Sequence, residues 1–293
     1  MVDESPRPPA LRTVSTADDR RVAYAEYGDP DGAPVLFLHG TPGSHVLGGL
    51  FDAAATRAGV RLLAPDRPGY GRSSPWPARE LPDTDAFVAP VLDDAGVGTV
   101  GAVGFSGGGP HALALAATRP DRVDAVDVVA GAPPPSLDHR PPAAQRLLVA
   151  LAGTTPRLLG GLLGVQAWVA ERLPPRAVVS QYTADVADLP DGVAERVRRD
   201  FVTALARRRG AVTEFALLDR DWNVPLASVE PPVRLWHGDG DTNAPLAGAR
   251  RLRDRLPDAD LTVFDGADHL STLLRARAPV VAGHANGDAS GGA

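Results

Sequence analysis

The sequence predicts an α/β protein: a mostly parallel sheet covered by helices and interrupted late by a helical insertion. Three observations carry this. Apolar runs that end in Gly, Asp or Ser recur along the chain ("APVLFLHG", "VRLLAPD", "VGTVGAVGFS", "VDAVDVVAG", "VRLWHGD"), the form of strands buried on both faces. Helix-like segments near 45–58, 83–95, 107–118 and 246–256 alternate with them, as in a βαβ arrangement. Between about 131 and 225 the strand signal stops and helical periodicity replaces it.

Taken in order, the first residues are Pro-rich and expected to be loose. "LRTVST" and "RRVAYAEYG" alternate as paired strands do. After "VDAVDVVAG" comes a hinge-like loop, "AGAPPPSLDHRPP", then helical patterns near 142–153 and 157–172. The clearest helix is "DGVAERVRRDFVTALARRRG". There Val193, Val197, Phe201 and Leu205 recur every four residues on one face. Asp191 is suited to cap its start and Gly210 to end it. The α/β pattern resumes at "PPVRLWHGDGD", and "LTVFDG" is the last strand. The expected division is core 1–132, insertion 133–225, core 226–278 and a small, polar, disordered tail 279–293. No internal repeat is visible.

Composition narrows the chemistry. The 293 residues are 44% hydrophobic, ample for a large core. A net charge of -6 argues against a nucleic-acid surface. All 30 basic residues are Arg, which excludes lysine Schiff bases. Cysteine is absent, which excludes disulfides, thiol nucleophiles and cysteine-bound metals. The N-terminus has no apolar signal core. The longest apolar run, "LLGGLLGVQAWVA", is too short to span a bilayer. The expectation is a soluble, cytoplasmic protein with a small-molecule substrate and no metal or organic cofactor. Its oligomeric state is not predicted.

Gly104-Phe105-Ser106-Gly107-Gly108 fits G-x-S-x-G between an expected strand and an expected helix. Such a turn forces its central residue into a strained conformation and exposes the side chain. Gly104 and Gly108 relieve crowding, while Gly107 can offer its N–H to an oxyanion at the helix start. A serine hydroxyl needs a base. Of the seven His, His269 in "FDGADHLSTLL" follows the last strand directly, on the sheet edge that would also carry Ser106. An orienting acid can come from "LWHGDGDTNAP" as Asp239 or Asp241, and residue chemistry alone does not choose between them.

Together these segments resemble the α/β-hydrolase superfamily over about 20–278. "LFLHGTPGS" is similar to the oxyanion loop after strand 3, "APDRPGYGRSS" to the loop after strand 4, "GFSGGG" to the nucleophile elbow, and "HGDGDTNAP" and "GADH" to the acid and histidine loops. The order Ser, Asp, His is also a mark of the superfamily. The resemblance implies a doubly wound, eight-stranded sheet with a helical cap. It assigns the acid to Asp241, with Ala244 where relatives have Val, and leaves Asp239 in support. It implies Thr41 as the second oxyanion donor, with a cis bond before Pro42, and suggests that Asp66 and Arg67 pair to shape the rim.

The implied activity is a serine hydrolase cleaving a small, largely apolar carboxylic ester, lactone or thioester through an acyl-enzyme. Alternatives are a proline-iminopeptidase-type aminopeptidase, an acyltransferase, or a ligand-binding receptor of the same fold. Gly107 after the serine, where peptidases carry Trp and haloperoxidases often Met, disfavours both of those readings. In the cap, Leu158, Leu159, Leu162, Leu163, Val165, Trp168 and Val169 could line a pocket or pack the cap. Phe105, Trp168 and Trp222 are the expected substrate contacts.

Overall fold

A computed structural model describes residues 10–137 and 142–285. Eight strands form one sheet: β1 (Leu11–Ser15), β2 (Arg21–Gly28), β3 (Ala33–Leu38), β4 (Val60–Pro65), β5 (Val100–Phe105), β6 (Val123–Val129), β7 (Val233–Gly238) and β8 (Ala259–Phe264). Their order is β1-β2-β4-β3-β5-β6-β7-β8. The β1–β2 and β2–β4 pairs are antiparallel and the rest parallel.

Strand alternation builds two cores. Along β3, Val35 and Phe37 face one side while Leu36 and Leu38 face the other. Helices α1 (Asp52–Ala58) and α10 (His269–Ala285) cover the first side. Helices α2 (Thr84–Ala95), α3 (Gly109–Thr118) and α9 (Leu246–Arg253) cover the second. Burial of a Leu or Phe in either core contributes about 1.5–3 kcal/mol. Pro110 opens α3, where a missing N–H costs nothing. The next six residues of α3 are all buried, so this helix lies inside the molecule and holds the elbow rigid.

Between β6 and β7 the chain forms α4 (Ala143–Thr154), α5 (Pro156–Arg172), α6 (Pro175–Val179), α7 (Val193–Leu205) and α8 (Arg209–Leu218). These helices share a core of their own with Leu159, Leu163, Phe201, Leu205 and Phe215, and Tyr70 of the main body joins it.

Three local expectations change. The helix expected over 191–210 is two helices. It starts after Gly192 (φ 77) without a side-chain cap from Asp191, and it ends at Leu205. Gly210 does not end it but lies inside α8. There its N–H donates to Gly69 O at 3.1 Å, and an added Cβ would meet the Gly69 backbone at 2.7 Å. The tail expected from 279 is helical through residue 285. α10 runs through Pro279 to Ala285, because Val280, Val281 and His284 form a buried face of the helix. His284 Nε2 lies 2.7 Å from the buried Asp127 carboxylate. Positions 286–293 of that expected tail lie outside the described residues.

Candidate active site

Ser106 follows β5 directly, and its φ is 51°, a backbone region that costs a non-glycine residue energy. The surrounding glycines are there for space. A Cβ on Gly104 would meet Gly108 O at 2.6 Å, and one on Gly108 would meet Leu38 O at 2.0 Å. Gly109, to which sequence reasoning gave no task, packs against Val128 Cγ1 of β6.

Asp241 and His269 come together. His269 Nδ1 donates to Asp241 Oδ2 at 2.7 Å. Asp241 Oδ1 accepts from the backbone N–H groups of Asn243 (2.8 Å) and Ala244 (2.9 Å). Burial works to raise the Asp241 pKa, but the His269 hydrogen bond and nearby charge outweigh it and hold the carboxyl below its usual value. Asp239 is exposed and braces the histidine loop, with Oδ1 accepting from Gly266 N at 2.6 Å.

Ser106, His269, Thr41 and Gly107 line one cavity of about 290 Å³. Among the described residues no hydrogen bond joins the Ser106 hydroxyl to His269. The peptide between Thr41 and Pro42 is cis. Gln145, Gln166, Gln181, Tyr182 and Asn243 give the cavity polar groups, and Leu148, Val149, Leu163, Phe201, Phe215 and Leu218 give it an apolar wall.

The expected aromatic contacts need correction. Trp168 is 56% exposed and stacks on Arg172 at 4.1 Å, since α5 turns Leu159, Leu163, Gln166 and Ala170 inward and Trp168 outward. Leu158, Leu162, Val165 and Val169 share that outer face, so of the seven apolar candidates Leu163 alone reaches the cavity. Trp222 is buried in the main core beside Leu217, away from the cavity lining. Phe105 packs its ring 5.0 Å from the His269 ring and lines a separate small void with Leu270 and Val197.

Sequence reasoning missed a buried charge cluster behind the Thr41 loop. Arg67 and Asp66 do not pair. Asp66 accepts from His45 N and Nδ1 and from Arg72 N. Arg67 instead pairs with Glu214 of α8, which also pairs with Arg79. All three side chains are buried. Burial pushes against ionising Glu214, but the Arg67 and Arg79 cations, with a hydrogen bond from His111, hold its pKa well below the ordinary value. His39 and His111 stay neutral there, pushed down by burial to about 3 and about 4. The available signal was Glu214 itself, a lone acid inside the apolar "TEFALL".

Among the described residues no helix is long and apolar enough to cross a membrane, and no group of three His, Cys, Asp or Glu side chains could hold a metal ion.

The likeness to known proteins follows the same segments. A family model for the alpha/beta hydrolase fold matches residues 33–162, which include the Thr41 loop and the elbow. A pimeloyl-acyl-carrier-protein methyl ester esterase from Aromatoleum aromaticum is 33% identical over 223 residues, 74% of this chain and 83% of the relative. A non-heme chloroperoxidase from Streptomyces lividans is 26% identical over 284 residues, 88% of this chain and 93% of the relative. The fold is shared with an esterase from Rhodococcus sp. ECU1013, at a TM-score of 0.69 and 21% identity over 92% of this chain and 98% of that one. A relative matched at one residue in three along most of its length leaves no room for chance similarity of fold: the chain is a hydrolase of the α/β-hydrolase family.

Proposed function

We propose that this chain hydrolyses a small, uncharged carboxylic ester or lactone through an acyl-enzyme on Ser106. The observation that carries this reading is one cavity lined by a strained serine and by a histidine already bound to a buried carboxylate.

In this mechanism the Ser106 oxygen attacks the carbonyl carbon while its proton passes to His269 Nε2. The Asp241 carboxylate keeps the Nδ1 proton facing itself and steadies the imidazolium. The N–H groups of Thr41 and Gly107 receive the oxyanion. Collapse of the intermediate expels the alcohol, which takes the proton back from His269. Water then repeats the sequence on the acyl-enzyme, releasing the acid and restoring Ser106.

Substrate charge follows from the lining. Among the described residues no Asp, Glu or Arg lines the cavity. A free ammonium or carboxylate would lose its hydration there without a counter-charge. This disfavours aminoacyl substrates and favours neutral esters whose polar atoms meet glutamine and asparagine side chains. A volume near 290 Å³ is at the small end for ligand pockets. Helices α4, α5, α7 and α8, within the cap expected over residues 133–225, supply much of the wall. A methyl ester esterase among the relatives and an esterase among the structural neighbours accord with this reading.

The test is a chain-length panel of p-nitrophenyl esters and lactones beside aminoacyl substrates, with Ser106→Ala as control. Short neutral esters should turn over. Ser106→Ala should cost about 10⁴-fold or more with the fold intact. A phosphonate ester should label Ser106. Wild-type turnover by Ser106→Ala would overturn the assignment, and a wild-type protein that resists labelling would favour a binding role.

A further inference from the structure

Arg67 is buried beneath the loop that carries Thr41, where an unpaired cation would be costly. Its contacts are unusually directed. Nη2 donates to the carbonyls of His39 (2.9 Å) and Gly40 (2.9 Å) and to the Thr41 hydroxyl (3.0 Å). Nη1 donates to the Gly107 carbonyl at 3.3 Å and pairs with Glu214. One planar side chain therefore holds both segments whose N–H groups serve as oxyanion donors in the proposed mechanism.

Peptide geometry turns this into a statement about the donors. The Gly40 carbonyl and the Thr41 N–H belong to one planar unit and point in opposite directions. A cation fixed on the Gly40 oxygen therefore fixes where the Thr41 N–H points. It also draws electron density toward that oxygen, which makes the N–H a stronger donor. On the elbow, the bond to Gly107 O limits rotation of the peptide that follows the Gly107 N–H. Glu214 completes the arrangement from α8. It is the only carboxylate paired with Arg67 among the described residues, and its Oε2 also lies 3.4 Å from the Thr41 hydroxyl.

We infer that Arg67 is the positioning residue of the oxyanion site, and that Glu214, carried by the insertion, holds Arg67 in place. This rests on the ester hydrolysis proposed above. It adds a layer behind the two donors and makes the seating of α8 a condition for their alignment.

Arg67→Lys tests it, because an ammonium keeps the charge but lacks the fork that spans both loops. The kcat for a short p-nitrophenyl ester, per site titrated with phosphonate, should fall about 100-fold, as when an oxyanion donor is lost. KM should stay within about threefold. Affinity for a trifluoromethyl ketone, which mimics the tetrahedral intermediate, should fall by the same factor as kcat/KM. The Thr41 amide proton should move upfield in the NMR spectrum. An unchanged kcat per titrated site, or a raised KM alone, would overturn the inference.

Should Arg67→Lys not fold, Glu214→Gln replaces it. It preserves shape and removes the charge holding Arg67. Its kcat and ketone affinity should fall together by about tenfold or more, and no change in either overturns the inference. A wild-type protein without ester turnover would sink the proposed function instead. The Thr41 amide then decides the placement of Arg67 alone: a shift between wild type and variant supports it, and no shift overturns it.

Discussion

Two buried carboxylates reach from the insertion into the loop at residues 40–44, and they meet opposite environments. Glu214 on α8 lies between Arg67 and Arg79 and stays ionised. Asp200 on α7 accepts from Ser44 N at 2.8 Å and Ser44 Oγ at 2.7 Å. Among the described residues no cation pairs with it. Its pKa is raised to about 7, because burial outweighs the Ser44 hydrogen bonds that favour the ionised form, and the nearby Asp66 adds to the rise. Tyr27 and Tyr182 also feel its charge. One contact is therefore a fixed ionic clasp. The other is a hydrogen bond whose strength depends on a proton.

Breaking the clasp should have the largest effect. Glu214→Ala leaves two buried guanidinium groups without an anion, a loss of about 3–5 kcal/mol in urea unfolding. A loss below about 1 kcal/mol would mean that water already reaches the cluster. The proton-dependent contact should show a smaller effect with a definite sign. A carboxyl whose pKa is raised by folding makes the folded state bind more protons than the unfolded state between about 4 and about 7. Stability from this group therefore falls as pH rises through that window and levels off above it. Between about pH 5 and pH 8, the wild type should lose about 2 kcal/mol more than Asp200→Asn. Parallel pH profiles for the two proteins would erase the contrast with Glu214. The smallest effect belongs to the outer face of the same insertion. Trp168→Ala touches neither carboxylate, so stability should change by no more than about 0.5 kcal/mol and kcat/KM should not change.

The sheet was legible because buried parallel strands leave continuous apolar runs, as in "APVLFLHG" and "VGTVGAVGFS". That an acid after β7 would lie near His269 after β8 was legible because loops after parallel strands share one edge, but choosing Asp241 over Asp239 took the family resemblance, since both acids sit in the same short loop. The insertion was less legible. Its helices are apolar on more than one face, so periodicity did not separate Leu163, which reaches the cavity, from Trp168, which faces water. The break after Leu205 was hidden by a run of good helix formers, and Gly210 suggested a stop where it allows a close approach to Gly69. Arg67 was assigned to its neighbour Asp66, because pairing across 147 positions leaves no local pattern. The likeness of the family members carries the fold; the partners of a buried charge belong to tertiary structure.

That separation of 147 positions also sets an order of assembly. Arg67 and Arg79 leave the ribosome long before α8, and until Glu214 arrives their burial has no counter-ion. The first half of the sheet can pair its strands early, yet its interior beneath the Thr41 loop can close only after the insertion has docked. A nascent chain halted before residue 214 should thus hold that loop open to water, with its two cations still hydrated.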